Sequence, residues 1–229
     1  MYIDKKITRK CFSTFSKISG YSNWVIAKAD LTVGLNGNGE MTADTCKNNE
    51  VTAKLLKQKK NYALMSAGNS DLNGIDIKMD MHLIRIVSEN GNGFNSSEDK
   101  IKNSLDNNSV EYIRSKKFKE VYGMIFEKYE IINFVNEVGD ENPIHRTKKA
   151  VVPGFMIMER LIRKIDFCNE NNQNKSIYGI EIKYIMPVFE GEMIYLFKYE
   201  NILEGWVIRE TEDGKELNVK VFEVKIKAN

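Results

Sequence analysis

Polar and apolar positions alternate most regularly in residues 75 to 87, IDIKMDMHLIRIV, where Ile77, Met79, Met81 and Leu83 take turns with Lys78, Asp80 and His82. That period of two predicts a strand with one buried face. A second strand is expected at 23 to 35, NWVIAKADLTVGL, and the segment between them, NEVTAKLLKQKKNYALM, has helical composition with Val51, Leu55 and Leu56 near helical spacing. The second half of the chain repeats this grammar. Strand-like FKEVYGMIF (118 to 126) leads into a predicted helix whose Ile131, Phe134, Val135 and Val138 fall at i, i+3, i+4 and i+7, a single apolar stripe. A further helix, GFMIMERLIRKIDF, places Met158, Leu161, Ile162 and Ile165 on its buried face and Glu159, Arg160, Arg163 and Lys164 on its wet one. Strands are then predicted at SIYGIEIKYIMPVF (176 to 189) and EMIYLFKYENI (192 to 202), followed by a hairpin of WVIRET and ELNVKVFEVKIK turning through Glu212, Asp213, Gly214 and Lys215. A helix followed by a meander of strands predicts an antiparallel sheet against that helix, an α+β fold.

Residues 90 to 109, NGNGFNSSEDKIKNSLDNNS, break the pattern, being rich in Asn, Gly, Ser and charge as linkers are. They place a linker at 96–112 between halves at 1–95 and 113–229. A net charge of +2, with basic runs scattered among acidic residues, argues against a nucleic acid or a membrane surface as partner. Three cysteines, Cys11, Cys46 and Cys168, lie far apart without CxxC spacing. They read as free thiols in a reducing compartment, and neither His82 nor His145 stands at zinc-ligand spacing from them. No apolar run is long enough to cross a bilayer and no signal peptide is visible, so a soluble cytoplasmic protein is expected. GLNGNG (34 to 39) lacks the glycine order of a dinucleotide fingerprint and reads as a strand turn.

One segment concentrates the candidate chemistry: FVNEVGDENPIHRTKKAVVPG, residues 134 to 154. As plain structure, Gly139 caps a helix and Asn142-Pro143 forms a turn, which leaves Asp140 and His145 unexplained. As a site, the turn points a carboxylate and an imidazole at a common spot where they can hold and deprotonate one water. Just downstream, Pro153-Gly154 opens a helix whose free N–H groups suit a developing oxyanion. Spacing leaves both readings open.

The same residues resemble a known family. GDENPIH, then VVPGF, then IMPVFEGE leading into a strand are similar to the signature of the MaoC-like family, the hot-dog-fold (R)-specific enoyl-CoA hydratases and acyl dehydratases. The resemblance covers residues from about 117 to 229, and all three prolines of the chain, Pro143, Pro153 and Pro187, fall at its landmarks. It implies that Asp140 and His145 hold a catalytic water, that the Gly154 amide binds a thioester carbonyl oxygen, and that Asn142 and Pro143 support the loop. The implied reaction is reversible hydration of 2-enoyl thioesters of coenzyme A or acyl carrier protein, with no metal and no other cofactor. A hot-dog thioesterase and a non-catalytic acyl-thioester-binding protein are the competing readings. Arg146, Lys148 and Lys149 suit the phosphates of coenzyme A, an acidic carrier surface, or a solvated loop equally. Because hot-dog domains work in pairs, the resemblance implies a tandem double hot dog whose divergent, non-catalytic first half completes the pocket. Such a chain is a pseudo-dimer by itself and can also form a homodimer. The chain departs from the family at Val138, where a small polar residue is usual, in its short loop from His145 to Pro153, and in a central helix without Ser or Thr from Phe155 to Phe167.

Overall fold

The computed structural model describes residues 5–21, 23–35, 51–69, 75–85, 119–168 and 177–228. The predicted linker, Cys46 and most of GLNGNG lie outside these residues. Along the chain run α1 (Lys5–Ser16), β1 (Trp24–Leu35), β2 (Thr52–Lys59), β3 (Tyr62–Asn69) and β4 (Ile75–Arg85). The second set comprises β5 (Lys119–Met124), α2 (Lys128–Val138), a 3₁₀ turn (Pro143–Arg146), α3 (Gly154–Cys168), β6 (Ile177–Tyr184), β7 (Ile194–Tyr199), β8 (Ile202–Glu210) and β9 (Glu216–Ala228).

The nine strands of the described residues join one antiparallel sheet in the order β2-β3-β4-β1-β6-β9-β8-β7-β5. This order contains a repeat. Helix α1 followed by β1 to β4, ordered β2-β3-β4-β1, matches α3 followed by β6 to β9, ordered β7-β8-β9-β6. The two sets meet where β1 pairs with β6, from Lys28↔Lys183 to Thr32↔Gly179. Strand β5, α2 and the 3₁₀ turn are the second set's additions, and the candidate site lies among them. One hydrophobic cluster serves both sets, running from Phe12 and Leu31 through Met65 and Met79 to Leu161 and Val224.

The predicted helix at 49 to 65 is instead the hairpin β2–β3. Ala63, Met65 and Ala67 are buried at a period of two, whereas β2 lies at the sheet edge with Leu55 and Leu56 both exposed. An edge strand open to water on both faces need not alternate, and a bulge between Leu55 and Lys57 hides its register further. Among the described residues of the first half the helix is α1, which buries Thr8, Cys11, Phe12 and Phe15 at i, i+3, i+4 and i+7. The expected strand at 192 to 202 is two strands, turning at Glu200 with φ 51°. The strand expected to reach residue 189 leaves the sheet after Tyr184. Glu159, assigned to the wet face, is buried and accepts hydrogen bonds from Arg9 and Arg163. The other apolar stripes are buried where expected, and Val138 simply packs. Cys11 lies in the core, and desolvation pushes its thiol up to about 11, so it is unreactive. Among the described residues no helix is long and apolar enough to cross a membrane.

Candidate active site

Helix α2 begins with a capping box in which the side chains of Glu127 and Glu130 each bond the other's backbone. It ends at Gly139, whose φ of 73° is the left-handed conformation that glycine adopts without strain. The chain then reverses through two nested side-chain turns. Asp140 Oδ1 accepts the Asn142 N–H at 2.9 Å, and Asn142 Oδ1 accepts the Ile144 N–H at 3.3 Å. Pro143 stands at the first position of the 3₁₀ turn, where its missing N–H is not needed. Asn142 is buried, and its Nδ2 donates to the Trp24 carbonyl at 2.9 Å. The loop is thereby tied to the first strand of the other half.

This scaffold brings His145 Nε2 to 3.4 Å from Asp140 Oδ2. His145 is buried, and its Nδ1 lies 2.7 Å from the Val151 carbonyl oxygen. A carbonyl can only accept, so Nδ1 carries a proton and Nε2 is the ring atom that faces the carboxylate, a donor to it when protonated and an acceptor when not. Two acceptors facing each other at that separation need a proton or a water between them. Burial alone would raise the Asp140 pKa, but the His145 hydrogen bond and charge, the Asn142 N–H and Arg146 outweigh it and hold the carboxyl below its usual value. A depressed carboxyl stabilises the fold above the unfolded-chain value of about 4, and that stability is lost as pH falls through the lower folded value. Asp140→Asn is therefore expected to lower the denaturation midpoint at pH 7, with the difference from the unaltered protein fading below about pH 4. Melting curves on both proteins from pH 7 to 3 check this.

Downstream, Val152 N–H bonds the Val188 carbonyl and α3 starts at Gly154. Pro153 O accepts the N–H groups of Met156 and Ile157 at 3.0 and 3.1 Å. The N–H groups of Gly154 and Phe155 have no carbonyl one turn earlier to bond, which makes the helix start a donor site. Asp140, Asn142, His145 and Gly154 line one cavity of about 550 Å³, together with Val152 and Tyr184. The first half supplies the opposite, largely apolar wall, including Phe15, Trp24, Ile26, Met65, Met81 and Leu83. Residues 24–27 and 184–186, which lie beyond the last β1–β6 pair, Lys28↔Lys183, also line the cavity.

Of the predicted site residues, the structure thus brings Asp140, Asn142, His145 and Gly154 together on one wall. Arg146, Lys148 and Lys149 lie outside the lining. Arg146 braces the loop by donating to the Asp140 carbonyl at 2.8 Å and to Asn136 Oδ1 at 3.1 Å. Lys149 Nζ stands 4.4 Å over the Phe189 ring, and Lys148 is exposed. Three contributors were missed in the sequence: the carbonyls of Trp24 and Val151, and Tyr184. His82 accepts or donates a bond with the Tyr62 hydroxyl at 2.9 Å on the sheet, half-buried, in keeping with a core-edge histidine.

No family model matches the chain, and no curated protein matches it in sequence. Solved structures are similar to it. HtdX of Mycobacterium tuberculosis aligns with a TM-score of 0.53 at 11% identity, over 97% of this chain and 86% of that one. A conserved hypothetical protein of M. tuberculosis, essential for bacterial survival during infection and with a double hot-dog fold, gives 0.53 at 8% identity over 97% and 81%. The full-length peroxisomal multifunctional enzyme type 2 of Drosophila melanogaster gives 0.50 at 13% identity, over 89% of this chain and 37% of that one. Identities this low speak to the fold alone, and with the repeated α-β-β-β-β topology they identify the chain as an α+β protein of the double hot-dog fold.

Proposed function

We propose that the protein is an enoyl-thioester hydratase, reversibly adding water across the 2,3 double bond of acyl thioesters carried by coenzyme A or acyl carrier protein. The observation that carries this reading is the pairing of buried His145 with part-buried Asp140, with Nε2 facing Oδ2 at 3.4 Å on the wall of an apolar cavity that also includes the start of α3. The resemblance of residues 139–145, 151–155 and 185–192 to the MaoC-like signature supports the same chemistry.

In this reading Asp140 accepts a hydrogen bond from the water and orients it, and His145 Nε2 takes its proton as the oxygen attacks C3. The imidazolium then returns that proton to C2, so that one water is added in total. Negative charge that develops on the thioester oxygen meets the Gly154 N–H at the positive end of α3. The Val151 carbonyl holds the ring in the one tautomer that leaves Nε2 free. The apolar wall from the first half takes the acyl chain, which makes that half the non-catalytic partner of the pair.

The test follows the conjugation band of crotonyl-CoA and of longer 2-enoyl-CoAs and 2-enoyl carrier-protein thioesters. Loss of the band without release of thiol is expected. Thiol release would move the assignment to a thioesterase, and an unchanged band with every substrate would leave an acyl-binding protein.

A further inference from the structure

Tyr184 is the last residue of β6 to pair with β9, opposite Phe222. The next two residues, Ile185 and Met186, both donate their N–H groups to the Val221 carbonyl, at 2.9 and 3.2 Å. The side chain therefore leaves a firmly held piece of strand. It crosses to the start of α3, where its hydroxyl donates to the Gly154 carbonyl at 2.6 Å. Its ring lies flush against the same residue: a Cβ placed on Gly154 would stand 3.0 Å from Tyr184 Cζ and 3.3 Å from its Cε1 and Oη. Both residues line the cavity that holds His145.

Peptide groups are planar, so a carbonyl held in place holds the N–H on the far side of its peptide bond. At the start of α3 two such groups matter. The Pro153 carbonyl, bonded by Met156 and Ile157, fixes the direction of the Gly154 N–H. The Gly154 carbonyl, bonded by Tyr184, fixes the direction of the Phe155 N–H. At a helix N-terminus the N–H groups lack partners while the first carbonyls are bonded by the following turn. Here a side chain from the sheet adds a further bond to the first carbonyl of α3.

We infer that Tyr184 is a positioning residue for the thioester carbonyl: it aligns the Phe155 N–H beside the Gly154 N–H as a second donor to the carbonyl oxygen. The inference rests on the hydratase reading above and adds to it a donor and the residue that aims it. Desolvation keeps the phenol protonated far above its usual range, so it remains a donor at any working pH. Because a misaimed donor matters most when charge develops, its effect belongs on kcat more than on KM.

Tyr184→Phe removes one oxygen and keeps the ring, and it is the variant of choice. A fall in kcat of roughly ten- to a hundredfold is expected, with KM changed less than about twofold, as for loss of an oxyanion donor's alignment. The second readout is the absorption of bound 2,4-hexadienoyl-CoA, which shifts to the red when its thioester carbonyl is polarised. The shift should be present in the unaltered protein and reduced in Tyr184→Phe. Gly154→Ala, which presses on the ring with the hydroxyl intact, should reduce it as well. An unchanged kcat, or a lower kcat with the full red shift retained, would overturn the inference and leave Tyr184 a packing residue. If the unaltered protein shifts the bound dienoyl spectrum but hydrates no enoyl thioester, the hydratase reading fails while the carbonyl-positioning role stands or falls on the variant's spectrum. A protein that binds no thioester at all removes both.

Discussion

His145→Ala should lower kcat for hydration roughly a hundred- to ten-thousandfold, the range expected for loss of a general acid–base group, while acyl-CoA still binds. The reason is the division of labour on the ring. Nδ1 is committed to the Val151 carbonyl at 2.7 Å, so Nε2 alone is free to take up and return a proton. Asp140→Asn should give a loss of similar order, because an amide of the same shape can keep its oxygen on the Asn142 N–H but presents no negative charge to Nε2. His145→Gln separates position from chemistry: its amide can donate to Val151 but shuttles no proton. Binding is read by isothermal titration with a saturated acyl-CoA, and turnover by the enoyl band. A tenth or more of the original kcat in any of the three variants would remove the pair from the mechanism.

Much of this site was legible in the sequence because its parts are local. Gly139, Asp140, Asn142, Pro143 and His145 belong to one turn, and a turn of nested side-chain hydrogen bonds is written in consecutive residue types. The stripes of α2 and α3 were equally plain, although α3 buries Phe155, Met156, Ile157 and Glu159 as well as the predicted Met158, Leu161, Ile162 and Ile165. The contributions from elsewhere were not legible. Trp24 and Val151 act through backbone carbonyls, which any residue supplies, so neither leaves a mark in the sequence. Tyr184 left a faint one, as the aromatic hydroxyl in the inward series Ile180, Ile182, Tyr184 and Met186, where the other three are aliphatic. In the first half the failure was one of period. Lysines dominate the edge strand β2 and mimic the wet face of a helix, while the true helix α1 hides its apolar stripe behind Thr8 and Cys11, residues less apolar than the leucines a helix usually buries. Once the hairpin is recognised, α1 to β4 have the same element order as α3 to β9, and the tandem arrangement follows from topology.

Arg9→Ala should destabilise the protein by about 2 kcal/mol, within the range for hydrogen bonds to charged groups. Arg9 rises from α1 between the two helices of the other half, paired with Glu137 of α2 and, at 2.9 Å, with Glu159 of α3. Glu137 is more than half exposed, and its share is small. Glu159 is different: its side chain is 8% exposed and pairs with both Arg9 and Arg163, and the Arg163 side chain is 57% exposed. Losing Arg9 takes a close charge partner from a buried carboxylate, which is costly. The guanidinium also lies 5.7 Å from the Phe134 ring, so packing is lost along with charge. Urea denaturation of Arg9→Ala, Glu159→Gln and the double variant isolates the pair, with a coupling of about 1–2 kcal/mol expected for residues in direct contact. Additive single effects would show that Arg9 acts through packing alone. The functional consequence lies next door, where Phe155 stacks on Phe12 of α1 at 4.1 Å and follows directly on Gly154. A loosened α1 should thus slacken the start of α3, and Arg9→Ala should lower kcat by a small factor at temperatures where the protein is still folded. Kinetics at 15 °C, well below the variant's melting transition, distinguish that effect from simple unfolding.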